Sequence, residues 1–174
     1  MTRNDGPLPD GERATLQEFL DWQRATLLFK CAGLTGEQLA ERTVPPSQMS
    51  LLGLIRHLTR VERIWFRQRF ADEAIEDAYG RDLEWPEADP TRAAADYARF
   101  TEEIQLADAA AANSPLEATF TVQGDTLNLR FVYLHMIEEY ARHNGHADLL
   151  RERIDGATGE LAAINLGAAR ALTV

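Results

Sequence analysis

The sequence predicts an all-α fold, a four-helix bundle with one long crossover connection. Four stretches carry apolar residues at spacings of three and four, the period of a helix with one buried face. Proline, glycine and capping residues punctuate the ends of those stretches. A polar segment, residues 71 to 89, separates the second stretch from the third and is long enough to cross a bundle. The 174 residues read as a single domain, 1–174, with a core at about residues 10 to 156 and a tail at 157–174.

The first helix follows a polar leader that ends at Asp10, a residue suited to cap it. Leu16, Phe19, Leu20, Trp22, Gln23, Leu27 and Cys31 then recur at helical spacing up to Gly33. Residues 35 to 42 allow a short helical turn before Pro45 and Pro46 halt it. The second helix spans about residues 50 to 70. Leu51, Leu54, Ile55, Leu58, Val61, Ile64 and Trp65 form its apolar stripe, His57 lies at the stripe's edge, and Arg56, Arg60, Arg63 and Arg67 fall mostly on the other side.

Asp89 followed by Pro90 reads as the N-cap and first position of a third helix, marked by Ala93, Tyr97, Phe100, Ile104, Ala107 and Ala111. It ends near Asn113, Ser114 and Pro115. Between 117 and 129, Phe120 to Val122 and the turn signal at Gln123, Gly124 and Asp125 suit either a small hairpin or an extended loop. The fourth helix, about residues 128 to 154, ends at Asp155 and Gly156. Val132, Met136, Glu139, His143, Ala147 and Leu150 line its stripe, so a carboxylate and an imidazole take positions the pattern reserves for the core. The Ala-rich tail from Ala157 has no capping signal.

Charge and composition exclude several function classes. A formal net charge of -10 with no run of basic residues disfavours nucleic acid and anionic membranes as partners. The N-terminus lacks the apolar core of a signal peptide, and no apolar run is long enough for a membrane span. Cys31 is the only cysteine, which suits a reducing cytoplasm and offers no thiolate pair for a metal.

The residues with chemistry are His57, Glu139 and His143. Positions four apart on a helix differ by about 40° of net rotation, so Glu139 and His143 project side by side. An ionised carboxylate turned toward an apolar interior costs several kcal/mol unless a cation or a proton compensates it. A divalent metal would supply that compensation, with His57 on the facing helix as a third ligand. Three nitrogen or oxygen ligands with one open position is the arrangement of catalytic rather than structural zinc sites. The same spacing also suits a metal-free bundle in which Glu139 and His143 share a hydrogen bond. His146 competes as a ligand but lies two turns from Glu139, and His135, one turn before Glu139, points at the site or packs between helices. Arg56, Arg60 and Arg142 adjoin the candidate ligands, Asp148 and Arg151 are spaced for an i,i+3 ion pair, and Trp65 and Tyr140 are candidates to wall a cavity.

Two segments resemble the DinB/YfiT-like metalloprotein superfamily, in particular its mycothiol-linked branch. They are LIRHLTRVERIWF at 54–66 and LHMIEEYARHNGHADLLR at 134–151, and with the helix order the resemblance covers about residues 10 to 156. Many members carry three histidines, whereas this chain has Glu139 in the second slot, as in the His, Glu, His pattern of mycothiol-dependent maleylpyruvate isomerase. The resemblance implies metal ligation by His57, Glu139 and His143, a zinc-type ion, and attack by mycothiol or a similar small thiol on an electrophilic small molecule, as in detoxification. The isomerase has a further C-terminal domain for which the residues after Gly156 are too few, so the single-domain mycothiol S-transferases are the nearer comparison. The alternative expectation is a non-catalytic metal-binding bundle that binds a small ligand or partner. A homodimer is compatible with either.

Overall fold

A computed structural model describes residues 10–79, 85 and 88–158. The leader before Asp10, part of the crossover connection and the tail from residue 159 lie outside the described residues. The chain forms α1 (Glu12–Cys31), a short α2 (Gly36–Ala40), α3 (Leu51–Glu62), a π-helical segment (Arg63–Phe70) that continues α3, α4 (Ala93–Ala111) entered through a 3-10 turn (Pro90–Arg92), the strands β1 (Thr119–Val122) and β2 (Asp125–Asn128), and α5 (Leu129–Asp155). It is the predicted all-α bundle with a long connection between α3 and α4. No described helix is long and apolar enough to cross a membrane.

Local sequence explains most of the boundaries. Ser50 caps α3 by accepting from the Gly53 N–H, Asn128 caps α5 by accepting from the Phe131 N–H, and Asp89 accepts from the Thr91 N–H ahead of Pro90. Thr35 and Gln38 form a reciprocal capping box on α2. The start of α1 differs from expectation. Gly11, not Asp10, is the cap residue and no side chain caps the helix there; the hydroxyl of Thr15 donates instead to the Gly11 carbonyl. The segment after α4 is a hairpin, Thr119 pairing with Asn128 and Val122 with Asp125. Its two-residue turn needs positive φ at both positions, which Gln123 (53°) and Gly124 (94°) adopt. Gly156, at φ 79°, closes α5 in the left-handed conformation.

The helices α1 and α5 pack along one another, as do α3 and α4, with Leu20, Leu27, Leu54, Leu58, Phe66, Phe100, Val132, Tyr133, Met136 and Tyr140 in the common core. A charged knot runs through it. Glu62, at the end of α3, is 0% exposed. It accepts two hydrogen bonds from Arg24 of α1, at 2.7 and 2.8 Å, and one from the Tyr140 hydroxyl of α5 at 2.8 Å. Arg24 also donates to Asp21 and to Asp108 of α4, both at 2.9 Å. All four long helices therefore meet at one guanidinium–carboxylate pair. Tyr140, expected as a cavity wall, is fully buried and committed to this knot.

Other sequence-based pairings are replaced. Asp148 pairs with Lys30 of α1 rather than with Arg151, and Arg151 pairs with Asp155 while donating to the carbonyls of Lys30 and Ala32. The Asp148–Lys30 pair and the Arg151 donations to the Lys30 and Ala32 carbonyls tie the end of α5 to the end of α1, which an i,i+3 pair within one helix would not do.

Removing one member of a buried pair leaves the other's charge uncompensated, a loss of about 3–5 kcal/mol. Glu62→Ala should lower unfolding stability by an amount near the bottom of that range, because Asp21 and Asp108 still face Arg24. Urea denaturation measures it, and a change below about 1 kcal/mol would show that the knot does not hold the helices together.

Candidate metal centre

The structure brings His57, Glu139 and His143 together. One potential ligand atom from each lies within 4.8 Å of the other two. His57 comes from α3, where it stands at the edge of the buried stripe, half-buried. His143 is buried, and Glu139 is half-buried with 27% of its side chain exposed. The expected stripe of α5 holds at Val132, Met136, His143, Ala147 and Leu150 and departs only at Glu139. Tyr133 and Tyr140 take core positions, and Glu139 sits at the rim, where the carboxylate keeps partial contact with water.

The internal geometry is that of a small donor set facing inward. Glu139 Oε2 lies 3.4 Å from His143 Nε2, and the His57 and His143 rings meet edge to face with centroids 4.7 Å apart. Glu139 Oε1 lies 3.7 Å from Nε2 of His135. On the far side of His143, its Nδ1 lies 3.3 Å from Nδ1 of His146. His146 thus touches the ring nitrogen that faces away from Glu139, the place of a partner that fixes a ligand's orientation and tautomer rather than of a ligand. Spacing alone placed His146 only as a rival ligand; the contact depends on side-chain direction, which spacing does not give.

Trp85, from the crossover connection, stacks on His57 with centroids 5.4 Å apart. It lies so close over α3 that a Cβ at Gly53 would come within 2.7 Å of its ring. Glycine one turn before His57 is what lets the indole settle there. Nothing in the helical periodicity marked Gly53 or Trp85 as part of the site.

Electrostatics favour neutral imidazole at the centre of the cluster. Burial, reinforced by the positive potential of His57, His146 and Arg142, pushes His143 down to about 4. His135 is also lowered, chiefly by burial. A neutral imidazole has a free lone pair, as metal ligation requires, and two imidazoles with one carboxylate is a donor set fitted to a zinc-type ion. Cys31 is no part of the centre. It is buried, and burial pushes its thiol up to about 12, so the chain has no cysteine able to serve as a nucleophile near neutral pH.

The flanking arginines are mostly engaged elsewhere. Arg60 pairs with Asp77, Arg142 with Glu138, and Arg56 lies over the Tyr79 ring. In comparison with known proteins, the family model described as Mycothiol-S-transferase matches residues 15–156. None of the curated proteins or solved structures compared matches the chain.

In chelator-treated protein the state of His143 should be visible in stability. Its folded pKa of about 4 lies below the 6.5 of a free imidazole, so the unfolded chain binds the proton first. The stabilisation is complete above pH 6.5 and is lost as pH falls toward 4, by at most about 3 kcal/mol. Urea unfolding at pH 7 and pH 4.5 of the wild type and of His143→Gln should show a steeper loss in the wild type, and parallel losses would rule out a buried neutral His143.

Proposed function

The chain belongs to the mycothiol-S-transferase family, and from that premise we propose that it is a metal-dependent thiol S-transferase that joins mycothiol, or a similar small thiol, to an electrophilic small molecule. The observation that carries the proposal is the convergence of His57, Glu139 and His143 within 4.8 Å, inside the matched residues. His57, Glu139 and His143 are the ligands of a divalent ion, zinc by the chemistry of the donors. When bound, such an ion with an open position lowers the pKa of a coordinated thiol so that it is a thiolate at neutral pH.

The chain's own residues do the rest. The α3–α5 contact presents the donors from two helices, leaving the exposed edge of Glu139 as the side from which small molecules arrive. His146, against Nδ1 of His143, leaves Nε2 toward the cluster. Trp85 covers His57 and limits water on that flank. In the reaction the thiol sulfur forms the new C–S bond, while its proton goes to the adduct in an addition or to solvent when a leaving group departs. With Cys31 sealed, the nucleophile has to come from a cosubstrate. The reaction suits a reducing cytoplasm and a detoxifying role.

The test joins metal analysis to turnover. Purified protein should hold about one divalent ion per chain and accelerate conjugation of mycothiol to monobromobimane above the uncatalysed rate. Loss of a partner outside the ligand set already costs roughly 10–100-fold in affinity, so His57→Ala should weaken metal binding by more than that, while His135→Ala keeps its metal. Equal metal content in both variants would place the ligands elsewhere. Metal without conjugation of any thiol would instead favour a binding protein that uses the same centre without turnover.

A further inference from the structure

The π-helical segment after α3 carries Arg63, Arg67 and Arg69, and the first two have carboxylate partners. Arg63 donates to Glu103 at 2.9 and 2.5 Å, and Arg67 to Glu103 at 3.0 Å and Glu73 at 2.9 Å. Arg69 differs. Among the described residues it faces no carboxylate; its guanidinium lies over the Trp65 ring, 4.2 Å from the centroid, and the side chain is half-buried. In a chain with 28 acidic residues and a net charge of -10, a half-buried cation that meets no carboxylate among the described residues stands out.

Its surroundings lead to the proposed centre. The Trp65 ring packs 4.2 Å from the His135 ring, and Phe131, 39% exposed, lies 5.8 Å from both and stacks on His135 at an interplanar angle of 11°. His135 in turn sits 3.7 Å from Glu139. A continuous run of ring contacts therefore leads from Arg69 through Trp65, Phe131 and His135 to Glu139. Trp65 and Arg69 are four apart on the π-helical segment, and π turns are found disproportionately at functional sites.

We propose that Arg69 on Trp65 is the anion-binding end of this ring-lined face, and that the electrophile is a flat, conjugated or aromatic molecule carrying a carboxylate, held with its reactive carbon toward His57, Glu139 and His143. Guanidinium is the side chain suited to a carboxylate, through two parallel N–H donors, and it keeps that geometry while stacked on an indole. The acidic surface repels anionic molecules in general, so admitting one needs a local cation that no internal carboxylate has claimed. The word electrophile rests on the transferase proposal above; the anion subsite rests on the geometry of Arg69, Trp65, His135 and Phe131.

The experiment uses the full-length, zinc-loaded protein with mycothiol and a matched pair of electrophiles, 4-chloro-3-nitrobenzoate and its methyl ester. In both, sulfur forms the C–S bond, chloride leaves and the thiol proton goes to buffer. Calorimetry with unreactive 3-nitrobenzoate and its methyl ester reads the subsite separately from chemistry. The acid should bind at least 10-fold tighter than the ester. Arg69→Gln should erase that preference, raise KM for the chloro acid about 10-fold with kcat and metal content unchanged, and leave the ester and the KM for mycothiol unaffected, while Arg69→Lys restores part of the preference. Equal binding of acid and ester by the wild type, or an Arg69→Gln effect confined to the KM for mycothiol, overturns the subsite. Selective binding of 3-nitrobenzoate that Arg69→Gln abolishes, with no conjugation of either chloro compound, keeps the subsite and sinks the transferase proposal instead.

Discussion

The fold depends on one carboxylate that has no access to water. Glu62 is held by two donors of Arg24 and by the Tyr140 hydroxyl, and Arg24 reaches on to Asp108, so α1, α3, α4 and α5 are fixed by groups that tolerate little displacement. Apolar packing would accept sliding of one helix on another by small amounts. A bidentate ion pair in a low-dielectric interior would not, because each lost hydrogen bond leaves a buried charge exposed to nothing. Tyr140 follows Glu139 directly, and Glu62 lies five residues after His57. The knot that registers α5 against α3 thus also sets the distance between the two halves of the candidate centre.

This coupling explains why the centre sits where it does. The side of α5 that carries Tyr140 is sealed, and the adjoining side, carrying Glu139, reaches the rim. A carboxylate at the bottom of the bundle would need an arginine, as Glu62 does. At the rim it can remain without one and stay available to a cation from solution. His143 lies deeper and is kept neutral by burial, while His146 occupies its outward nitrogen. The candidate centre combines one carboxylate that is partly exposed with two imidazoles from different helices, the arrangement on which the proposed thiol chemistry rests.

Much of this was legible in the sequence, and what was not has a common cause. Period 3.6 located the long helices, cap residues such as Ser50, Asp89 and Asn128 located their starts, and Glu139 and His143 fell on one face because four residues make little more than a turn. Periodicity cannot place residues at a helix edge to better than one neighbour, so Glu139 was read as core and Tyr140 as cavity wall, the reverse of what is found. It also cannot see across helices. The Arg24–Glu62 pair, 38 residues apart, and the Lys30–Asp148 pair, 118 apart, leave no local trace. Trp85 over Gly53 was invisible for the same reason, and the place of His146 behind His143 because spacing does not give side-chain direction.

Neither could the sequence tell which arginine was spare. Arg56, Arg60 and Arg142 adjoin the candidate ligands in the sequence, yet Arg60 and Arg142 meet Asp77 and Glu138. The segment after Glu62 decides the matter. Its Arg63 and Arg67 both meet Glu103, a carboxylate 1% exposed, while Arg69 lies over an aromatic ring and faces no carboxylate among the described residues. Two arginines are thus consumed in making one buried acid tolerable, and a third is held half-dehydrated beside the rings that lead to Glu139. The acidic character of the chain, which at first only excluded polyanionic partners, then acquires a local counterpart. The same surface that repels anions contains one cation positioned to select them.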